Sequence, residues 1–348
     1  MRAVAAALVL ALASSLAPCI VAQSTPSPAL LVLSKTDHTL AIVDPSTLRV
    51  VAKAPVGDDP HEVIASSDGH TAYVSNYGFG RYHTIAVIDL VGQKALTSID
   101  LGPLRGPHGL AFLDDKLWFT AEAAKAIGRY DPATDKVDWI MGTGQNRTHM
   151  IYVFAGALRI VTTNVNSATV TVLDKTAGPA GVPTTLPAGI HRLPGPPGGD
   201  WNETVIPVGR GSEGFDVSPD GKEAWVANAW DGTISVIDLD AKKVVATLDA
   251  QVRSANRIKF TRDGKLAFVS LLNGPDLVIV DTATRKVIRR LPIGHGAAGI
   301  LMDPGGARAY VSCGPDNYVA VIDLKSLEVA GHIDAGGNPD GLAWAVQH

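Results

Sequence analysis

The chain has 348 residues, of which 46% are hydrophobic and 18% are charged, and its formal net charge is −4. This composition supplies ample apolar surface for a buried core, and it excludes a strongly basic nucleic-acid surface and an extended acidic tail. We therefore expect no nucleic-acid partner.

Residues 1–22 have the pattern of a secretory signal peptide. Arg2 precedes a run of about a dozen small apolar residues, and Ala22 suits cleavage. The run is too short for a stable membrane span, and no later run reaches spanning length. We expect export to the periplasm or the extracellular space. Pro18 disfavours lipoprotein processing at Cys19, and residues 23–29 are predicted to form a short tether.

A 17-residue frame recurs along the rest of the chain. It contains a short apolar strand, a turn, a second apolar strand and a closing residue, and its clearest copies are Pro60–Asn76, Ser212–Asn228 and Ala297–Cys313. A third strand in each unit ends in aspartate, at Asp44, Asp89, Asp131, Asp174, Asp238, Asp281 and Asp323. Successive aspartates are 45, 42, 43, 64, 43 and 42 residues apart, which is the period of four-stranded propeller blades.

This spacing predicts an all-β chain that folds as one seven-bladed β-propeller over residues 30–348. The tail Gly337–Val346 matches only a first strand, whereas Leu30–Gly57 holds strands two to four. We expect the C-terminal strand to close the first blade, which leaves no open edge, and we expect a monomer. The one long spacing predicts an insertion at residues 175–203 in blade 4.

The second strands end in the related sequences YVSN (Tyr73–Asn76), WVAN (Trp225–Asn228) and YVSC (Tyr310–Cys313). Together with the following strands, such as ISVID, they resemble YVTN-repeat propellers of the bacterial surface-layer type. The resemblance covers nearly the whole mature chain and implies the propeller architecture. It does not imply one activity, because similar propellers include non-catalytic cell-surface proteins, haem-binding domains, amine dehydrogenase chains and lactonases.

When the blades are aligned, one position near the start of the first strand, here called the ring position, holds Asp340, His61, His108, His149, Glu213, Asn256 and Ala298. The first strand of a blade is innermost, so this position faces the mouth of the central channel. Three consecutive histidines flanked by carboxylates suit a divalent transition metal such as Zn, Mn, Fe or Cu. The predicted ligands are His61, His108, His149 and Glu213. The predicted general base is Glu213 or Asp340.

An alternative is that these histidines only hydrogen-bond to loop carbonyls. Arginines at or near the same mouth nevertheless predict an anionic ligand, and they are Arg105, Arg147, Arg210, Arg253 and Arg257. Tyr82 and Trp230 lie in loops of the same face and are predicted to form an aromatic wall. Alternatively, the arginines are solvated and pair with local aspartates, and the aromatic residues pack on neighbouring loops.

The sequence therefore favours an exported propeller that binds a divalent metal and an anionic small molecule. If the protein is an enzyme, metal-assisted elimination or hydrolysis is the expected chemistry. Two alternatives stay open: a non-catalytic protein that binds an envelope partner, and a propeller that binds haem or another cofactor through an axial histidine. Cys313 is the one cysteine left after signal cleavage, and we expect it to be a packing residue.

Overall fold

The computed structural model describes residues 24–176 and 200–348. The predicted signal peptide with Cys19, and residues 177–199 of the predicted insertion, lie outside the described residues. Among the described residues, no helix is long and apolar enough to cross a membrane. Two short 3-10 turns, Gly78–Gly80 and Ala155–Ala157, interrupt an otherwise all-β structure.

Seven antiparallel sheets follow one another along the chain, and the first three are formed as follows. Blade 1 contains β1 (Ala29–Ser34), β2 (Thr39–Asp44), β3 (Arg49–Pro55) and, from the far end of the chain, β29 (Pro339–Ala345). Blade 2 contains β4 (Pro60–Ala65), β5 (Thr71–Asn76), β6 (Thr84–Asp89), β7 (Lys94–Ala95) and β8 (Ile99–Asp100). Blade 3 contains β9 (Pro107–Leu113), β10 (Lys116–Ala121), β11 (Ala126–Asp131) and β12 (Lys136–Gly142).

The remaining four blades repeat the same antiparallel order. Blade 4 contains β13 (Thr148–Val153), β14 (Arg159–Asn164), β15 (Thr169–Thr176) and β16 (Asp200–Pro207). Blade 5 contains β17 (Ser212–Val217), β18 (Glu223–Asn228), β19 (Thr233–Asp238) and β20 (Lys243–Asp249). Blade 6 contains β21 (Ala255–Phe260), β22 (Leu266–Leu271), β23 (Asp276–Asp281) and β24 (Lys286–Pro292). Blade 7 contains β25 (Ala297–Met302), β26 (Arg308–Cys313), β27 (Tyr318–Asp323) and β28 (Glu328–Ile333).

The seven blades form a closed ring, which confirms the predicted seven-bladed propeller. Strand β29 pairs antiparallel with β1, from Ala29 opposite Ala345 to Ser34 opposite Pro339. It also contacts β4 of blade 2 and β25 of blade 7, as an innermost strand must. The C-terminal strand therefore closes the first blade, as the split repeat predicts.

The sequence of each blade places its apolar residues between neighbouring sheets. Second and third strands carry Val, Ile and Ala with their central residues buried, as in β5 and β27, whereas outer strands such as β20 alternate exposed and half-buried residues. The largest enclosed side chains are Trp118, Trp225 and Tyr310, one from the second strand of each of three blades. Burial of each large apolar side chain stabilises the fold by roughly 1.5–3 kcal/mol.

In several blades, a buried hydroxyl of the second strand forms a hydrogen bond to the next blade. Thr120 of β10 accepts a hydrogen bond from the Gly109 N–H at 2.9 Å and donates to the His149 carbonyl at 2.6 Å. Equivalent buried hydroxyls donate to ring-position carbonyls of the following blade, and they are Thr163 to Glu213, Ser270 to Ala298 and Ser312 to Asp340. The Ser or Thr of the repeat therefore fixes the height of the ring position in the next blade.

Replacement of Thr120 by valine is expected to destabilise the protein by about 1–3 kcal/mol, because it leaves the Gly109 N–H and the His149 carbonyl without their partner in a buried place. Urea unfolding followed by tryptophan fluorescence measures the effect. Thr120→Ser keeps the hydroxyl and should lose less stability than Thr120→Val. The control is Thr97→Val, at an exposed threonine. Equal stability of Thr120→Val and wild type would contradict the role given to the hydroxyl.

Cys313 lies at the end of β26 and is fully buried, with its Sγ 3.6 Å from the Ile293 carbonyl. Burial raises the pKa of its thiol to about 12, so the reactive thiolate is scarce at neutral pH. In the mature chain, we expect the native protein to resist a disulfide-exchange reagent and to react fully after unfolding in guanidinium. Rapid reaction of the native thiol at pH 7 would show that Cys313 is accessible.

Candidate metal centre

The ring-position residues lie on the seven innermost strands, and the three histidines come together at the channel mouth. The ring centroids of His61 and His108 are 4.5 Å apart, and those of His108 and His149 are 3.7 Å apart. His108 and His149 are buried, whereas the His61 side chain keeps 16% of its surface exposed. The predicted convergence of these three residues therefore occurs.

Glycine beside the ring position allows the inner strands to approach closely. A Cβ on Gly109 would lie 2.6 Å from the His149 carbonyl oxygen and 2.8 Å from the Met150 Cα. Corresponding glycines follow the ring position in three other blades and meet the next inner strand in the same way, at Gly214, Gly299 and Gly341. The absent side chain at Gly109 thus permits His108 and His149 to lie in contact.

We expect Gly109→Ala to destabilise the fold by about 1–3 kcal/mol, because the new methyl group must push β13 away from β9. Gly142→Ala is a matched control, since nothing lies within 4 Å of a Cβ at that position. Chemical unfolding of both variants measures the difference. If the two substitutions have the same effect, close approach of the strands at Gly109 is not a constraint.

The donor atoms of His108, Glu122 and His149 lie within 4.8 Å of one another, and all three residues are buried. Glu122 follows β10 directly, and its Oε1 contacts His149 Nδ1. Its Oε2 accepts a hydrogen bond from the Tyr77 hydroxyl. Two imidazoles and a held carboxylate are therefore gathered in one enclosed space, which is a ligand set suited to a transition metal.

Glu122 was not predicted, because it does not lie in the ring position. It occupies the position just after the second strand, which is polar or ionisable in the first three blades, at Lys35, Tyr77 and Glu122. The other four blades have Val165, Ala229, Leu272 and Gly314 there. Alignment of this second position would have identified Glu122, because its polar residues fall in or beside the same blades as the histidines.

His108 is the most unusual residue of the cluster. It is fully buried, and neither of its ring nitrogens has a hydrogen-bond partner among the described residues. Burial, with His149, His61 and two arginines nearby, holds the pKa of His108 well below its usual value. The ring is therefore neutral at physiological pH and has an unshared electron pair available for a ligand.

His149 lies between two carboxylates. Its Nδ1 contacts Glu122, and its Nε2 lies 2.9 Å from Glu213 Oε1, outside hydrogen-bonding geometry. Burial opposes a charge on His149, but Glu213 and Glu122 outweigh it and raise the pKa of His149. For Glu213, burial opposes ionisation, yet His149 and Arg147 lower the pKa of its carboxyl to about 2.

His61 belongs to a neighbouring network at the blade 1 side. Its Nδ1 lies 2.6 Å from the Lys35 ammonium, which also lies 3.0 Å from Asp59 and 3.2 Å from Asp340. His61 and Glu213 do not join the compact donor set of His108, Glu122 and His149. Their predicted roles as ligands, and the role of Asp340 as a base, stay predictions.

Two of the five predicted arginines reach the centre. Arg147 lies 3.4 Å from both Glu122 and Glu213, and buried Arg257 forms an ion pair with Glu62.

The remaining three arginines are exposed at the rim. Arg210 pairs with Asp231, Arg253 donates to the Trp230 carbonyl at 2.5 Å, and Arg105 is solvent-exposed. Tyr82 is half-buried and Trp230 is 49% exposed in the loops above the ring.

Comparison with known proteins supports the fold. The YNCE-like beta-propeller family model matches residues 199–308, close to the YVTN-repeat resemblance seen in the strand ends. No curated protein matches the chain.

Three solved structures illustrate the range of similar propellers. A functionally unknown protein from Desulfotomaculum acetoxidans DSM 771 is 15% identical with a TM-score of 0.71, covering 92% of this chain and 100% of its own. A Bacteroides uniformis protein named as a candidate 6-phosphogluconolactonase is 14% identical with a TM-score of 0.69. The match covers 91% of this chain and 99% of that protein. The dihydro-heme d1 dehydrogenase NirN is 15% identical with a TM-score of 0.63. The match covers 89% of this chain and 64% of that protein. At these identities the likeness shows the fold alone.

Proposed function

We propose that this seven-bladed propeller of YVTN-type repeats is an exported protein that binds a divalent transition metal through His108, His149 and Glu122. The bound metal recruits an anionic small molecule at the channel mouth. Export rests on the signal-peptide pattern of residues 1–22. Zn, Mn, Fe and Cu all suit a donor set of two imidazoles and one carboxylate.

The observation that carries the proposal is the unpaired state of His108. A buried polar group without a partner costs about 1–3 kcal/mol, and both nitrogens of this ring lack one among the described residues. A histidine that only stabilised the fold would be expected to hydrogen-bond to a nearby carbonyl. A metal ion bound to one nitrogen satisfies that atom and offsets the cost of enclosing the ring.

The electrostatic balance of the mouth favours a cation. The ion pairs of the centre connect three cationic residues, Lys35, Arg147 and Arg257, with five carboxylates, Asp59, Glu62, Glu122, Glu213 and Asp340. With the histidines neutral, as metal binding requires, the difference of three and five gives this group of described residues a formal charge of −2. Protonation of His149, which its raised pKa favours in the metal-free protein, would reduce this charge to −1. One divalent ion neutralises the charge of −2, whereas an anion alone would be repelled. Metal is therefore expected to bind before the anion.

The surrounding residues orient the proposed ligands. The Tyr77 hydroxyl donates to Glu122 Oε2, which leaves Oε1 directed at His149, and Thr120 holds the His149 backbone. Such outer contacts commonly fix the orientation of metal ligands. When bound, the metal would act as a Lewis acid and would lower the pKa of a bound water, which is the route to elimination or hydrolysis.

The two predicted bases differ in suitability. A carboxylate with a pKa of about 2 is a weak proton acceptor, so Glu213 is better suited to hold Arg147 and His149. Asp340, beside Lys35 and His61, is the remaining candidate for a base. Arg147 keeps 29% of its side chain exposed and can turn toward an anion at the mouth.

The test is the metal content of the mature protein, residues 23–348, made without a histidine tag. We expect about one equivalent after reconstitution, and affinity reduced on the order of 100-fold in His108→Ala, His149→Ala and Glu122→Gln, because each change removes one ligand. His295→Ala, which changes an exposed histidine paired with Asp316, is the control.

Circular dichroism must show that each variant is folded. Absence of metal from folded wild type after reconstitution would overturn the proposal and would favour the envelope-binding alternative. A visible haem spectrum in the purified protein would instead favour the cofactor alternative.

A further inference from the structure

Lys35 restricts the proton position on His61. The Lys35 ammonium lies 2.6 Å from His61 Nδ1, and the carboxylates of Asp59 and Asp340 lie 3.0 and 3.2 Å from the same nitrogen of lysine. Both carboxylates complement the charged ammonium, which carries three donors and no acceptor. At this contact, therefore, Lys35 donates and His61 Nδ1 accepts.

This arrangement fixes the tautomer of His61. A neutral imidazole carries one proton, and if Nδ1 accepts a hydrogen bond, the proton is on Nε2. A protonated ring nitrogen has no electron pair free for a metal. Asp340 Oδ2 also lies near His61 Nδ1, but at 3.5 Å, well beyond the Lys35 contact. The contact with lysine thus removes both nitrogens of His61 from metal binding.

The His61 side chain is partly exposed, so its Nε2–H can meet a ligand at the mouth. His61 keeps 16% of its side chain exposed at the mouth, whereas His108 behind it is fully enclosed. The His61 ring lies 4.5 Å from the His108 ring and 5.0 Å from the Tyr77 ring, measured between centroids. It therefore stands next to the proposed metal ligands, on the blade 1 and 2 side of the opening.

We infer that His61 is not a metal ligand but a hydrogen-bond donor, which offers Nε2–H to an acceptor oxygen of a ligand bound at the metal. The ligand in this inference depends on the proposed metal site. The proton position on His61 does not depend on that site. The ligand class that fits is a carboxylate or another oxygen acid, with one oxygen at the metal and one toward His61.

The first experiment measures the tautomer in the metal-free protein. Long-range nitrogen–proton NMR with 15N-histidine should show an unprotonated Nδ1 and a protonated Nε2 for His61, assigned by its loss in His61→Phe. Lys35→Met should shift the His61 signals, because it removes the donor to Nδ1. A proton on Nδ1 in the wild type would overturn the inference, whether or not the protein binds metal.

The second experiment uses cobalt(II) as the metal and oxalate as the probe anion, both followed by visible absorption. His61→Phe should bind cobalt(II) within about threefold of wild type but bind oxalate at least tenfold more weakly, which is the usual effect of losing a hydrogen bond to a charged group. His61→Gln retains an N–H donor and should recover part of the oxalate affinity. His295→Ala should change neither constant.

The outcomes separate the two proposals. Loss of cobalt(II) binding in His61→Phe, as large as that in His108→Ala, would make His61 a ligand and overturn the inference. Unchanged oxalate affinity in His61→Phe would also overturn it. Failure of wild type to bind cobalt(II) would refute the metal site, and the NMR result would then decide the tautomer by itself.

Discussion

Close contact between neighbouring innermost strands is the constraint on which the rest of this propeller depends. At the channel mouth, Gly109 leaves space for the His149 backbone, and the Thr120 hydroxyl links β9, β10 and β13 through two hydrogen bonds. Related glycines and hydroxyls recur around the ring. Because this packing fixes the strands in register, side chains that are distant in sequence meet at defined distances on the axis.

The same packing encloses groups that would otherwise be solvated. His108 is buried without a partner among the described residues, and a formal charge of −2 is gathered around it when the histidines are neutral. Structures usually avoid both features, because each costs free energy. A divalent cation bound as proposed would resolve both at once, since it would pair with the imidazole and balance the carboxylates. The proposed cation would thus account for the unpaired histidine and the excess negative charge together.

Repeat spacing was sufficient to predict the fold, and one aligned position was sufficient to find the three histidines. Periodicity succeeds here because each blade repeats the same backbone, so equivalent residues occupy equivalent places. This alignment missed Glu122, because the residue follows the second strand of its blade and reaches the centre only through its side chain. Alignment of the positions after the second strands would have revealed it, beside Tyr77 and Lys35.

Other features were beyond any sequence pattern. The division of the arginines, with Arg147 and Arg257 in the centre and Arg210 and Arg253 at the rim, depends on side-chain direction and local partners. The contact between Lys35 and His61 is of the same kind, because it joins blades 1 and 2 through two flexible side chains. Spacing placed His61 with the predicted ligands, whereas its contact with Lys35 supports the donor role that we infer for it.

The most direct measurement is anomalous X-ray diffraction from crystals of the mature protein soaked with Zn²⁺ or Mn²⁺. A single strong peak should lie at the channel mouth, about 2.0–2.2 Å from a nitrogen of His108, a nitrogen of His149 and an oxygen of Glu122. His61 should remain bonded to Lys35 and outside the coordination sphere. A fully loaded crystal with no peak there, or with metal only at surface residues, would contradict the account.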